Sequence, residues 1–363
     1  MGTFSGTLNS NDIFAALYNM IISQQVFADN IAGTKSTLVD MARIDGTLYG
    51  DTKLFYSTDV LKSSAWGNDA EAANLLKLYR PEAPEVQAIT LDTFRQICLT
   101  VDNYLSKQAF STEGAFSSFN SVMLGWIRDT KRVYDATTYN AYVGTAVSPV
   151  ATENISINLK SAAQGDPLYG VSGEEKNRME AQIIGEEIAK LLVNLEDISR
   201  DFNDYGNLRS YNASDLLFIW NSDAMAKIEK RDLPTIFHKE IIDKFGQHTL
   251  PARYFGTINT GTKAGDGKTI RSLVEQEIGS NHYFAGDLIK SGDTAPAGTS
   301  YTVDKDVLFK VIHKNSIPYM SAFEVGTSFF NPKALTETNY LTFGHNTLEY
   351  LKNYPMITVK QIV

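Results

Sequence analysis

The sequence predicts an α+β fold in which helices and antiparallel strands occupy separate stretches of the chain. Apolar residues alternate from Ile89 to Val101, which is the period of a strand with one buried face. An amphipathic stretch at about 112–142 has the spacing of one long helix. The run at 216–220 is apolar at every position and too short for a helix, which indicates a buried strand.

The composition is that of a folded globular protein. Hydrophobic residues make up 43% and charged residues 21% of the 363 residues, which excludes a disordered or collagen-like chain. The formal net charge is -9, and like charges never form a block of five. A dedicated phosphate-binding tail and sequence-specific nucleic-acid binding are therefore disfavoured.

Cys98 is the only cysteine in the chain. A single cysteine excludes an internal disulfide and a paired-cysteine metal or redox site, and it fits folding in a reducing cytoplasm. We interpret Cys98 as a small, buried apolar residue. The N-terminal stretch lacks a basic start and an uninterrupted apolar core, so we expect neither a secretion signal nor a membrane span.

Residues 1–45 and 46–102 are predicted to be extended, with little core of their own. The first segment mixes Gly, Ser, Thr and Asn with one short amphipathic stretch, which is typical of an arm. The second has a strand at 51–60, an excursion with a helix-like run at 69–79, and then the alternating strand. Large apolar side chains here cannot all be buried within one domain, so they are candidates for contact with another copy of the chain. These candidates are Leu54, Phe55, Tyr56 and Trp66.

Two long amphipathic helices follow. The first, at about 112–142, would be about 45 Å long, and Gly144 is expected to end it. Its apolar face is expected to pack on the rest of the domain. The members of that face are Phe116, Phe119, Met123, Trp126 and Ile127. The second helix, at about 172–201, begins at Ser172, whose hydroxyl can cap it while Glu175 reaches back.

The rest of the chain alternates strands with loops. After the buried strand at 216–220, Asn221 and Ser222 are expected to cap a helix at 223–230. Loops rich in Gly and Thr then precede the last strands. These strands are predicted at 307–312, 321–330 and 356–363.

No motif for catalysis or cofactor binding is complete. Gly267, Lys268 and Thr269 match the end of a phosphate-binding loop, but position 262 is Thr where that loop requires Gly. The histidines are scattered without a metal-binding pair, and no GxSxG elbow is present. We therefore predict a protein that is not an enzyme and that has no metal and no cofactor.

The order of the elements carries a resemblance to a known family. A polar arm is followed by a two-stranded excursion, a long helix that ends in DATTYNAYVGT at 135–145, a second helix, the buried strand with its capped helix, a loop-rich region and terminal strands. In this order and in length, the chain resembles the major capsid proteins of tailed bacteriophages, which share the Hong Kong ninety-seven-type fold. In size and aromatic content it is most similar to those of small podophages.

The resemblance implies a division of the chain. The parts would be an N-terminal arm, an extended loop with adjoining peripheral strands, a peripheral domain that holds both long helices, a mainly axial domain, and a return to the peripheral domain. The corresponding residues are 1–45, 46–102, 103–204, 205–339 and 340–363.

The resemblance also implies a function. The chain would be the structural subunit of an icosahedral or prolate head shell that encloses double-stranded DNA. Its partners would be further copies in pentamers and hexamers, a portal protein and the packaged DNA, bound without sequence specificity. A separate scaffolding protein is implied, because no long, charged coiled-coil segment precedes the fold. The location would be the virion, after folding and assembly in the bacterial cytoplasm and without a membrane.

Two alternatives stay open at this level. The chain could be an encapsulin-like compartment shell or another phage structural protein, or, from a different class, a carbohydrate-active hydrolase or binding module.

A substitution of Phe55 is expected to distinguish an effect on folding from an effect on assembly. We expect Phe55→Asp to stay soluble and folded but to form no shells, whereas packing of Phe55 within its own domain predicts loss of both.

Overall fold

The architecture is known from a computed structural model that describes residues 37–45, 50–63, 78, 80–102, 113–229, 246–260, 275–278, 281–284 and 299–363. The helices in these ranges are α1 (Thr37–Met41), α2 (Glu113–Thr145), α3 (Gly173–Glu196) and α4 (Ser222–Glu229). The strands are β1 (Arg43–Asp45), β2 (Thr52–Ser57), β3 (Glu85–Asp102), β4 (Asn154–Asn158), β5 (Leu216–Asn221), β6 (Gly246–Leu250), β7 (Gly256–Thr260), β8 (Glu275–Ile278), β9 (Asn281–Phe284), β10 (Thr299–Val303), β11 (Val307–His313), β12 (Tyr319–Asn331), β13 (Thr336–Asn346) and β14 (Met356–Ile362).

The chain divides into two compact units. Among the described residues, the smaller unit comprises 94–102, 113–135 and 323–343, and the larger unit comprises the remainder. Sheets account for most of the regular structure and few helices accompany them. The predicted α+β class is therefore confirmed.

The central sheet of the larger unit has the strand order β4-β14-β11-β5-β6. β11 is antiparallel to both β14 and β5, whereas β4 pairs with β14 and β6 pairs with β5 in parallel. β1 is also parallel to its partner, β12. The expectation of purely antiparallel strands is therefore wrong for three pairs, because strand direction depends on long connections that local sequence patterns do not encode.

Both faces of the central sheet are buried, and β5 shows why its sequence is continuously apolar. Leu216, Phe218 and Trp220 belong to the core that also holds α3. Leu217 and Ile219 point the opposite way, into the core that holds α1 and the C-terminal part of α2. A strand that is covered on both sides needs apolar residues at every position. The predicted buried strand is confirmed.

Helix α3 packs by its predicted apolar stripe, but its ends differ from the prediction. Ile184, Ile188, Leu191 and Leu195 are buried at spacings of three and four residues. The chain enters the helix through Gly173 at φ 65°, and Ser172 makes no side-chain capping hydrogen bond. The expected cap is therefore wrong. The helix ends at Glu196 rather than near 201, because Ser199 then pairs with Arg209 as an isolated bridge.

Helix α2 is a single helix of 33 residues, which corresponds to about 50 Å. It continues through Gly144 to Thr145, so the expected stop at Gly144 is wrong. Gly144 instead allows a close contact, because a Cβ atom there would lie 2.0 Å from the Tyr254 carbonyl oxygen. Only glycine fits this position without moving backbone.

A second five-stranded sheet has the order β1-β12-β13-β3-β2. The predicted alternation along β3 is confirmed, since Ile89, Leu91, Thr93 and Val101 are buried. Cys98 lies on the other face and is exposed, so its expected burial is wrong. In the smaller unit, Tyr134 of α2 packs edge-on against Phe343 of β13.

The end of the predicted arm belongs to the larger unit. Leu38, Val39 and Ala42 are buried in its core, and the Tyr319 amide donates to the Ala42 carbonyl oxygen at 2.9 Å. Residues 1–36 and nearly all of the helix-like run at 69–79 lie outside the described residues.

Candidate assembly surfaces

The hairpin formed by β2 and β3 exposes an apolar face. Leu54 pairs with Ala88 and Tyr56 pairs with Val86, and residues paired across two strands point to the same side. Leu54, Tyr56 and Val86 are 51%, 64% and 48% exposed. We call Leu54, Tyr56, Val86 and Ala88 the hairpin outer face. Exposed apolar side chains clustered in this way are typical of an interaction surface.

The opposite face of the hairpin is attached to its own subunit. Phe55 lies on this side and is half-buried. Its cross-strand partner Gln87 donates from Nε2 to the Tyr350 carbonyl oxygen at 3.0 Å and accepts from the Lys352 amide at 3.0 Å. Phe55 therefore points to the face opposite to its neighbours Leu54 and Tyr56, whose side chains are exposed.

A polar network fixes the end of β2. The Ser57 hydroxyl, which is buried, donates to Asn353 Oδ1 at 2.6 Å and accepts from Asn207 Nδ2 at 2.9 Å and from Arg209 Nη2 at 3.1 Å. Arg209 also donates from Nε to Asn353 Oδ1 and from Nη2 to the Thr58 carbonyl oxygen. The hairpin is thereby joined to two distant segments of the chain.

Asp59 extends the same network. Its Oδ1 accepts from the Leu208 amide at 3.0 Å, and its Oδ2 lies 2.7 Å from Arg200 Nη1. Hydrogen bonds from the Leu208 amide and from the Arg200 guanidinium hold the pKa of Asp59 at about 2. Asp59 therefore stays ionised at any pH at which the subunit would be handled.

Further large apolar side chains are exposed away from the hairpin outer face. Val60, Leu61 and Leu78 are exposed next to the hairpin. In the smaller unit, the consecutive residues Phe329 and Phe330 near the end of β12 are both exposed. Consecutive residues of a strand point to opposite faces, so this end of β12 buries neither aromatic ring.

The helix candidates are only partly described. Ile127 is buried and Trp126 is half-buried on α2. The side chains of Phe116, Phe119 and Met123 lie outside the described residues, as do Trp66 and the loop that holds Lys268. Whether the named hairpin residues contact a neighbour and whether the named helix residues pack as expected stay predictions.

A carboxyl group and an amino group, those of Glu153 and Lys310, are among the buried ionisable groups of the larger unit. Burial raises the pKa of Glu153 to about 7, and burial lowers the pKa of Lys310 to about 7. Glu153 Oε2 accepts from the Met356 amide at 3.3 Å, and Lys310 Nζ donates to the Ala146 carbonyl oxygen at 2.5 Å. Each joins a backbone group of a neighbouring segment. Among the described residues, no three acidic, His or Cys side chains cluster as a metal site would need.

Sequence reasoning missed the polar network around Ser57. Its members come from three segments near 57, 207 and 353, and single polar residues give no periodic signal. The sequence did indicate that Phe55 and Tyr56 point to opposite faces of a strand, but it did not indicate which of the two is exposed.

Comparison with known proteins identifies a family. The model of the Phi29-like phage major capsid protein family matches residues 6–359. Among curated proteins, no sequence matches the chain. No helix in the described ranges is long and apolar enough to cross a membrane.

Solved structures share the fold at low sequence identity. A chain in "Capsid structure of Staphylococcus phage Andhra" superposes with a TM-score of 0.64 at 12% identity, covering 94% of this chain and 87% of that one. A chain in "Structure of head fiber and inner core protein gp22 of native bacteriophage P68" gives 0.57 at 11% identity, covering 88% and 83%.

The family match is to a phage head protein rather than to an encapsulin or a hydrolase. It spans nearly the whole chain, so the resemblance noted from the order of elements is confirmed. The chain therefore belongs to the Phi29-like phage major capsid protein family and is a structural subunit of a tailed-phage head shell.

Proposed function

We propose that the subunit assembles into pentamers and hexamers and that the hairpin outer face is covered by a neighbouring subunit in the shell. The observation that carries this proposal is the exposure of Leu54, Tyr56 and Val86 on one face of β2 and β3. Apolar area of this kind is stabilised when a partner removes it from water, by about 25 cal/mol per Å².

A closed shell requires this kind of contact. Identical subunits close a shell when a patch on each subunit meets a different patch on the next, and the rotation between them closes. A hairpin can reach a neighbour without enlarging the core of its own subunit. The shell so formed would be icosahedral or prolate and would enclose double-stranded DNA.

The wider assignments follow the family. We infer an N-terminal arm at 1–45, an extended loop at 46–102, a peripheral domain at 103–204, a mainly axial domain at 205–339 and a peripheral return at 340–363. A portal protein and a separate scaffolding protein would assist assembly in the host cytoplasm. The net charge of -9 favours weak, non-specific contact with packaged DNA.

The test is a pair of tyrosine substitutions. Tyr56→Asp places a charge in the proposed contact but touches no core, so the variant is expected to stay soluble, to keep its circular dichroism spectrum and to form no shells. Tyr169→Asp is the control, because Tyr169 is similarly exposed at 53% but lies in the loop before α3. Electron microscopy of both preparations decides. Normal shells from Tyr56→Asp would remove the hairpin outer face from the interface.

A further inference from the structure

The Arg209 side chain contacts the end of β2 on the side opposite to the hairpin outer face. We propose that Arg209 is a positioning residue, which fixes the direction in which the β2–β3 hairpin leaves the subunit and thereby the geometry of shell assembly. This inference rests on the proposed function of the hairpin outer face. It concerns residues on the side of the hairpin opposite to that face.

Most N–H groups of the Arg209 guanidinium donate hydrogen bonds. Its guanidinium donates from Nε to Asn353 Oδ1 at 3.0 Å, from Nη1 to the Leu208 carbonyl oxygen at 3.0 Å, and from Nη2 to Ser57 Oγ at 3.1 Å and to the Thr58 carbonyl oxygen at 2.7 Å. A guanidinium has five N–H donors in a fixed planar fork. These bonds therefore hold the strand end at a defined angle rather than merely nearby.

Arg209 is itself held in place. Its amide donates to the Ser199 carbonyl oxygen at 2.9 Å, and its carbonyl oxygen accepts from the Ser199 amide at 3.0 Å. The same loop is attached to the segment before β14, because the Asp204 amide donates to the Lys352 carbonyl oxygen at 2.8 Å. Arg209 is thus a fixed point to which the hairpin is attached.

Ser57 is the point on the hairpin that receives these bonds. One hydroxyl can donate once and accept twice, and the Ser57 hydroxyl does all three, to Asn353 and from Arg209 and Asn207. Asp59, two residues on, adds the Arg200 ion pair and the bond from the Leu208 amide. Beyond Asp59 the side chains of Val60 and Leu61 are exposed.

The hairpin is attached at this point by hydrogen bonds between polar side chains rather than by apolar packing. Apolar contacts are non-directional, whereas hydrogen bonds weaken steeply once the donor–hydrogen–acceptor angle falls below about 120°. A hairpin attached in this way leaves each subunit in one direction. Contacts repeated around one ring of subunits tolerate little scatter in this direction, since a small angular error accumulates around the symmetry axis.

Arg209→Met tests the inference, because Met keeps much of the aliphatic stem but removes every donor. We expect backbone amides at 52–60 and Leu208 to exchange hydrogen about tenfold faster, with the amides of β5 and β11 unchanged. Under conditions in which the wild-type chain forms uniform shells, the variant is expected to give open or mixed-size particles. Arg209→Lys keeps the charge without the fork and is expected to behave in the same way.

Matched variants make each outcome informative. Arg178→Met removes an exposed arginine from α3 and is expected to change neither exchange nor particle size. If Arg209→Met does not fold, Ser57→Ala decides, because it removes the central hydroxyl with almost no change in volume. Uniform shells from either folded variant, or rescue by Arg209→Lys, would overturn the positioning role. Failure of the proposed function is distinct, because Tyr56→Asp would then assemble normally.

Discussion

The larger unit contains two kinds of β-structure, and they use their apolar side chains in opposite ways. In the central sheet, every residue of β5 and of β11 is buried, with helices contributing to the cores on both faces. In the β2–β3 hairpin, apolar side chains alternate between a face attached to the subunit and a face exposed to solvent. The first arrangement holds the subunit together, and the second leaves exposed an apolar surface that we propose another subunit covers.

The difference separates two classes of mutation. A change in the central sheet removes contacts that exist in the isolated subunit, so it lowers the free energy of unfolding. A change on the hairpin outer face would remove contacts that we propose form only in the shell, so it is expected to leave unfolding almost unchanged and to affect assembly. Substitutions can break or sharpen this separation.

Phe309→Ala is expected to have the largest effect on the subunit. Phe309 is buried, and its ring centroid lies 4.6 Å from that of Trp220 and 5.8 Å from that of Phe218. Removing a buried ring costs about 3 to 5 kcal/mol, a large part of ordinary stability. Denaturant unfolding should show this loss, with little soluble folded protein left to assemble. Wild-type stability would mean that the central sheet is not the core.

Gly144→Ala is expected to cost about 3 kcal/mol, because the new Cβ would lie 2.0 Å from the Tyr254 carbonyl oxygen and the backbone must move. Gly125→Ala on the same helix is the control. No atom lies within 4 Å of a Cβ there, and alanine is a better helix former by about 1 kcal/mol. Thermal unfolding should therefore shift in opposite directions. Shifts of the same sign would contradict the close contact.

Glu153→Gln tests the buried carboxyl through the pH dependence of unfolding. Because burial raises the pKa of Glu153 from 4.5 to about 7, the folded chain keeps a proton that the unfolded chain loses as the pH rises between these values. Stability attributable to Glu153 is thus highest below pH 4.5 and falls by about 3 kcal/mol up to pH 7.

The Glu153→Gln variant should lack this fall, since its amide does not titrate. Denaturant titrations at pH 4.5, 6 and 7.5 of the wild type, this variant and Glu174→Gln measure it. Glu174 is exposed on α3, so its variant should follow the wild type. Parallel curves for all three proteins would show that Glu153 is not protonated in the folded subunit.

The smallest effect on unfolding is expected for the hairpin, where Phe55 and Tyr56 can be compared directly. Tyr56→Asp should change the free energy of unfolding by less than about 0.5 kcal/mol. Phe55 lies on the half-buried face that is attached to its own subunit, so Phe55→Asp should lower the free energy of unfolding by about 1 to 2 kcal/mol. Equal unfolding curves for the two variants would place both rings on the same face.

Local periodicity predicted much of this fold. The continuous apolar run of β5, the stripe of α3 and the alternation of β3 each depend only on residues near in sequence, and all are found. The exposure of Cys98 was predictable by the same rule, because Cys98 lies between Ile97 and Leu99 and its side chain therefore points to the opposite face of β3. The position of Cys98 in the strand therefore decides its exposure, although cysteine is usually buried.

Features that depend on distant residues were not predictable. The parallel pairing of β4 with β14 joins segments far apart in sequence, and no local pattern specifies it. The Arg209 network likewise brings together Ser57, Asn207 and Asn353, each an ordinary polar residue in its own segment. The candidate surface was predictable as a segment, but which of its side chains point outward required the pairing register of β2 with β3.

The place of β14 between β4 and β11 has a consequence for when the subunit folds. β4 (Asn154–Asn158) is synthesised long before its partner β14 (Met356–Ile362), so a ribosome must make nearly all of the described chain before the central sheet can close. Sheets assembled from such distant strands form slowly, after long loops have closed. A nascent chain therefore cannot complete its core while most of it is still being translated.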